Sequence, residues 1–278
     1  MANYRYVVVD VFTDTALTGN QLAVFTDASG LDAETMQALA LEIGFSETTF
    51  VLPPEDAGHV RMRIFNPREE MRFAGHPTLG TAFVLGQPLQ LGVIALETGA
   101  GLVQVTLERD ESGRVDFGRM EQPLPEVRPV EDEDGLLAAL GGASPTLPVE
   151  LYDNGATHIL VALPRAIDVS ALAPDSSAIA AFRVTGVNCF AGSGTSWTTR
   201  MFWPDGEDAA TGSAAGPIAC HLCRYGIVPW GAEIEISQGA AIGRPSTLFA
   251  RADGSAAGIE RVEVGGRAVV VARGEFRL

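Results

Sequence analysis

The chain has 278 residues, 46% hydrophobic and 7% aromatic, with charges spread along its length. That is a globular composition long enough for two domains, not a disordered one. A formal net charge of −16 repels phosphate backbones and anionic bilayers, which excludes nucleic acid and membrane surfaces as ready partners.

Residues 5–12 read as a buried strand, entered at once from "MANYR" without a signal-peptide pattern. "GNQLAVFTD" reads as a second strand after a Thr18-Gly19-Asn20 turn. Asp32 is placed to cap a helix in which Met36, Leu39, Ala40 and Ile43 recur at helical spacing, and Gly44 to end it. "SETTFVLPP" and "HVRMRIFNP" alternate as strands, "GHPTLGTAFVLG" is an apolar helix opening on glycine, and "IALETGAGLVQVTLERD" and "RVDFGRM" continue as strands and turns. "EQPLPEVRPVEDEDG" is proline- and acid-rich and reads as an interdomain linker. Beyond it the order returns: "GATHILVALP" as a strand, a helix over roughly 169–181, "FRVTGVNCFAG" and "TSWTTRMFWP" as strands, a second glycine-led helix, then "AEIEISQG", "RPSTLFARA" and "RAVVVARGEFRL" as closing strands. "GSGTS" at 192–196 reads as a loop. Apolar runs such as "VVVDVF" and "HILVAL" are too short to cross a bilayer.

The return is a repeat. Arg63, Phe65, Pro67, Glu70 and Gly75 match Arg200, Phe202, Pro204, Glu207 and Gly212 at a constant offset of 137 (212 − 75). The expected fold is α+β, with two similar halves, each a curved, mostly antiparallel sheet packed on one main helix. The halves are placed at 1–122 and 123–278, with the last strand, about 268–278, a candidate to return to the first half.

Each glycine-led helix offers unpaired backbone N–H groups and the positive end of its dipole, at Gly75–His76 and at Gly212–Ser213. Two such starts facing one cleft would suit a small carboxylate or phosphate; glycine there serves tight helix–sheet packing equally well. Glu47, between Phe45 and Phe50 at the start of a strand, is a candidate general acid/base if desolvation raises its pKa, or else a solvent-facing strand residue. His76 could hydrogen-bond a substrate or cap its helix. Asp208 could act on substrate or cap the second helix, and Ser213, which mirrors His76, could donate to an anion or satisfy its own turn. The four histidines show no metal-ligand spacing, and no nucleotide fingerprint or nucleophile elbow occurs. "CHLC" at 220–223 reads as a buried helical stripe, and three cysteines, an odd number, argue against a disulfide scaffold and for a reduced, cytoplasmic protein.

Taken together, "DVFTDTALTGNQLAVF", "GFSETTFV", "RIFNPREEMRFAGHPTLGTA" and "GEDAATGSAAG" resemble the phenazine-biosynthesis PhzF-like family over essentially the whole chain. The resemblance implies a diaminopimelate epimerase-like fold, two pseudo-symmetric domains each wrapped round a central helix, a site in the cleft between them, and a homodimer. It implies a cofactor-independent isomerase, without metal, moving a proton between two carbons of a small carboxylate such as trans-2,3-dihydro-3-hydroxyanthranilate. Glu47 would be the acid/base, His76 and Asp208 would assist, Ser213 and the amides of Gly75 and Gly212 would hold the carboxylate, and Asn20 would contact the ligand. Epimerases of this fold place a thiol immediately before each glycine-led helix; Ala74 and Thr211 stand there here, which disfavours two-base inversion. The chain carries Ala209 where the family motif commonly has proline, so the turn holding Asp208 is expected to be looser. Two other readings remain: a non-catalytic small-acid binding protein, and a thiol enzyme using Cys189, which a 142-residue offset (189 − 47) sets opposite Glu47.

Overall fold

A computed structural model describes residues 2–204 and 206–278. Internal contacts divide the chain into two compact units, Met1–Glu121 with Gly265–Leu278, and Gln122–Val264. In the first unit the elements are β1 (Asn3–Val11), β2 (Asn20–Phe25), α1 (Ala33–Ile43), β3 (Glu47–Leu52), β4 (Val60–Phe65), β5 (Glu70–Met71), α2 (Gly75–Leu89), β6 (Val93–Thr98), β7 (Gly101–Arg109) and β8 (Val115–Glu121). There follow β9 (Glu126–Pro129), α3 (Glu133–Ala139), β10 (Glu150–Asp153), β11 (Thr157–Ala162), α4 (Ala166–Ser170), α5 (Ser176–Ala180), β12 (Gly186–Ser193), β13 (Ser196–Trp203), β14 (Gly206–Asp208), α6 (Gly212–Arg224), β15 (Glu233–Gln238), β16 (Ser246–Ser255) and β17 (Gly258–Gly266). The final strand, β18 (Ala268–Arg277), pairs antiparallel with β1, from Asn3 opposite Arg277 to Val11 opposite Ala268.

Strand pairing repeats between the units. In the first, β1–β2 is antiparallel, β2–β3 parallel, β3–β4 antiparallel, β4–β6 parallel and β6–β7 antiparallel, with β5 folded back on β4. In the second, β10–β11, β11–β12, β12–β13, β13–β15 and β15–β16 follow the same succession, with β14 folded back on β13. One long helix occupies the centre of each unit. Gly75 to Phe83 of α2 and Gly212 to Cys223 of α6 are buried without a break, so neither has the polar face of a surface helix. Close approach requires small residues: a Cβ on Gly80 would lie 2.7 Å from both Leu22 and Val11. The fold is therefore the sheet-dominated α+β class that the repeat implied.

The repeated Arg-x-Phe and Glu residues build the turn before each central helix. Arg63 donates through Nε and Nη2 to the two oxygens of Glu70 at 2.7 and 2.6 Å, and Arg200 likewise to Glu207 at 3.0 and 2.7 Å. Each guanidinium lies over the phenylalanine two residues on, at 5.1 Å for Phe65 and 4.8 Å for Phe202. A bidentate fork over an aromatic ring fixes the hairpin from β4 to β5, and from β13 to β14.

Around α1 the expected signals operate. Asp32 accepts from the Thr35 N–H at 2.8 Å, Gly44 takes φ 70°, and Met36, Leu39 and Ala40 are buried against Phe25, Phe50 and Phe65. Two expectations needed correction. The segment read as a linker holds the end of β8, strand β9 and the start of helix α3, which Asp132 caps by accepting from Gly135 N–H at 2.9 Å. The helix expected over 169–181 is two short ones, since Pro174 cannot continue a helix and Asp175 caps a new start, accepting from Ser177 and Ala178. The alternating run "GIERVEVGG", unremarked in the sequence, is β17. "GSGTS" is the turn of the β12–β13 hairpin, with Ser193 opposite Ser196.

Candidate active site

In the first unit, parallel pairing of β2 and β3 sets Leu22 opposite Glu47, so the starts of both strands lie side by side. Asn20 opens β2 and Glu47 opens β3, while Gly75 and His76 open α2. Buried Asp10 holds the loop leading to Asn20 by accepting from the Leu17 N–H at 2.7 Å. Asn20 Oδ1 accepts from Ser46 Oγ at 3.3 Å, which turns its Nδ2 toward His76 Nδ1 at 3.2 Å. With Nδ1 accepting, the imidazole proton sits on Nε2. That nitrogen stands 3.3 Å from Glu47 Oε2, within ion-pair distance but without an aligned hydrogen bond. The His76 side chain is 4% exposed and that of Glu47 16%. Asn20, Glu47, Gly75 and His76 are thus brought together, and Glu47 is half-buried rather than on an open strand face. His76 is not a helix cap: the N-cap is Ala74, with no side-chain bond to the first turn.

The second unit holds Asp208, Gly212 and Ser213. Asp208 does not cap α6 either. Its Oδ2 accepts from Thr211 Oγ1 at 2.7 Å, and Thr211, the N-cap, gives the helix no side-chain bond. Buried Gln238 clamps the turn: its Nε2 donates to Asp208 O at 2.9 Å and to Thr211 Oγ1 at 2.9 Å, and its Oε1 accepts from Thr211 N at 3.0 Å. The turn that has Ala209 in place of proline is thus bonded by a residue 30 positions after Asp208. Ser213 Oγ lies 2.8 Å from Nε2 of fully buried His158, whose Nδ1 faces Asn188 Nδ2 at 3.2 Å.

The family model described as phenazine biosynthesis-like protein matches residues 9–274. Trans-2,3-dihydro-3-hydroxyanthranilate isomerase of Pseudomonas chlororaphis is 47% identical, covering 99% of this chain and 100% of its own. The chain belongs to the phenazine biosynthesis-like protein family. Among solved structures, a PhzF-family phenazine biosynthesis protein of Bacillus anthracis superposes with a TM-score of 0.86 at 23% identity, with all of both chains covered. A hydroxyproline epimerase from Agrobacterium vitis shares the fold at a TM-score of 0.71 and 13% identity, over 98% of this chain and 92% of its own.

Identity of 46–47% to relatives named as isomerases, over 99% of this chain, makes the protein an isomerase. The thiol reading fails on register. Cys189 lies opposite Arg200 as Phe50 lies opposite Arg63, so Cys189 corresponds to Phe50 and the residue corresponding to Glu47 is Gly186. A Cβ on Gly186 would lie 2.3 Å from Met201 Cε, so the Met201 side chain fills that place. Cys189 is buried, and burial pushes its thiol far up. Cys220 and Cys223 are free and buried in α6, held up at about 12 and about 11 by burial. Neither is a ready thiolate.

Ser46, Gln238, His158 and Asn188 support the site residues and were not singled out in the sequence. A signal was present for two of them: Gln238 shares the inward face of β15 with Ile234 and Ile236, and His158 directly precedes an apolar run. A polar residue at a buried strand position must find a partner, but the sequence does not say which.

Proposed function

We propose that the protein moves a proton between two carbons of trans-2,3-dihydro-3-hydroxyanthranilate or a closely similar small unsaturated carboxylate, with Glu47 as both base and acid and no cofactor. The observation that carries this reading is the Glu47 carboxylate set 3.3 Å from the Nε2 of a buried histidine whose other nitrogen is tied to Asn20. A carbon–hydrogen bond breaks as the proton passes to Glu47 and the electron pair moves into the conjugated system. Glu47 then returns the proton to a second carbon. The His76 N–H favours the carboxylate while it is ionised. Asp208 assists the transfer, and Ser213 with the amides of Gly75 and Gly212 holds the substrate carboxylate. Ala74 and Thr211 at the two N-cap positions carry no group able to take a proton from carbon, which favours one base over two. The 47% identity to the isomerase of Pseudomonas chlororaphis supports the substrate class. The same resemblance carries a homodimer, and three unpaired buried cysteines favour the cytoplasm.

Proton NMR in D₂O of the protein with trans-2,3-dihydro-3-hydroxyanthranilate tests this. The wild type should isomerise it, and Glu47→Gln should be slower by about 10²–10⁴-fold. Full activity in Glu47→Gln would sink the mechanism. Idleness of the wild type toward this compound would remove the substrate and direct the search to other unsaturated carboxylates.

A further inference from the structure

Four polar side chains, each at most 4% exposed, gather on the first turn of α6 and its surroundings: Gln122, Asn154, His158 and Asn188. Burying so many polar groups costs free energy unless each is bonded, and three of them bond one short stretch of backbone and side chain. Gln122 Nε2 donates to Gly212 O at 2.7 Å, and Asn154 Nδ2 donates to Ser213 O at 2.9 Å. The second bond has a plain cause. Pro217, four residues on, has no N–H to offer the Ser213 carbonyl, and Asn154 supplies the missing donor. Gly216 leaves room for Gln122, since a Cβ there would lie 2.3 Å from its Oε1. The backbone of Gly212 and Ser213 is thus held from outside the helix.

The third contact holds the side chain. A serine hydroxyl in a first helical turn ordinarily rotates among local backbone acceptors. Here Ser213 Oγ lies 2.8 Å from His158 Nε2. His158 stands on β11 where, by register, Leu22 stands on β2, since Leu22 faces Glu47 and His158 faces Gly186. An imidazole stands in the core where the first unit has an aliphatic side chain, and burial keeps it neutral, holding it down to about 3. Asn188 Nδ2 donates to His158 Nδ1 at 3.2 Å, the same Asn-to-Nδ1 arrangement that Asn20 makes with His76. A hydroxyl has one donor and two acceptor positions. If its oxygen accepts from an imidazole N–H, its own proton is left for another acceptor.

We propose that His158 is a positioning residue: its Nε2–H, fixed by Asn188, donates to Ser213 Oγ and so presents the serine proton to the substrate carboxylate. The proposal rests on the reading that Ser213 binds that carboxylate. In the opposite tautomer Nε2 would accept the serine proton, and Ser213 would offer the carboxylate only lone pairs.

Imidazole ¹⁵N NMR of the wild-type protein reads the tautomer directly, with the His158 signals identified by their loss in His158→Gln. The Nε2–H form is expected, and the Nδ1–H form overturns the proposal. Kinetics with trans-2,3-dihydro-3-hydroxyanthranilate supply the second arm. Ser213→Ala should raise KM about tenfold with kcat changed less than about twofold, since a carboxylate anchor is used equally in ground and transition states. His158→Asn, too short to reach Ser213, should do the same, whereas His158→Gln, whose amide reaches to the Nε2 position, should stay within about threefold of wild type. In the Ser213→Ala background His158→Asn should add nothing further. Additive effects, or a wild-type KM in His158→Asn while Ser213→Ala is impaired, would overturn the positioning role alone. A wild-type KM in Ser213→Ala would remove the carboxylate reading itself.

Discussion

At the scale of single residues, two buried histidines of the second unit are held neutral by burial. His158 is held down to about 3 by burial, and His221 down to about 4 by burial, against the pull of Glu150 3.4 Å away. Both folded values lie below the ordinary histidine value. The unfolded chain therefore binds more protons than the native one between about pH 6.5 and those values, and stability falls as pH falls through that window. Each histidine contributes a slope of roughly 1 kcal/mol per pH unit within its window. Urea midpoints between pH 7 and pH 4.5 should drop accordingly. His221→Gln should flatten the curve, and an unchanged slope in that variant would show that His221 is not held neutral.

Elements carry their own predictions. The two bidentate forks share geometry but not burial, since Glu207 is 7% exposed and Glu70 43%. Arg200 also donates to the carbonyls of Ser170, the last residue of α4, and Leu172 at 3.2 and 2.8 Å. Arg200→Ala strands a buried carboxylate and should cost about 3 kcal/mol, against about 1 kcal/mol for Arg63→Ala; calorimetry or urea melts would measure both, and equal losses would refute the distinction. In α6, Asn154→Ala leaves the Ser213 carbonyl without a donor and should cost about 1–3 kcal/mol. Pro217→Ala restores an N–H four residues on, so Asn154→Ala should cost measurably less in that background. A full cost in both backgrounds would mean that Asn154 acts through some other contact.

For the whole molecule, a net charge of −16 means that folding concentrates like charge. Raising sodium chloride from about 10 mM to 0.2 M should screen that repulsion and lift the melting temperature by about 2–4 °C. A fall in melting temperature would show that attractive ion pairs such as the two forks outweigh it. The duplicated fold does not duplicate the acid proposed for the reaction. At the place corresponding to Glu47 the second unit has Gly186, and Met201 fills the space. The second unit has the central helix and its glycine-led start, but no acid at that place.

Much of this was legible without coordinates. Regular alternation, Asp32 and Gly44 at the ends of a helix, and five residues recurring at one offset are local or periodic signals, and local geometry follows from them. The resemblance likewise named Glu47, His76 and Asn20, and folding brings all three to one end of the first unit. What needed the tertiary structure is of another kind. An offset counted through loops of unequal length set Cys189 against Glu47, whereas strand register sets it against Phe50, because hydrogen-bonded pairing and not residue count fixes which side chains share a place. The linker became strand and helix because Asp132 could cap and β9 found β10 as a partner. Gln238 and His158 were visible as polar residues beside apolar ones and Asn154 as a turn residue, but their partners lie 27 to 59 residues away in the chain. Burial obliges such groups to pair, and only the folded path decides with whom.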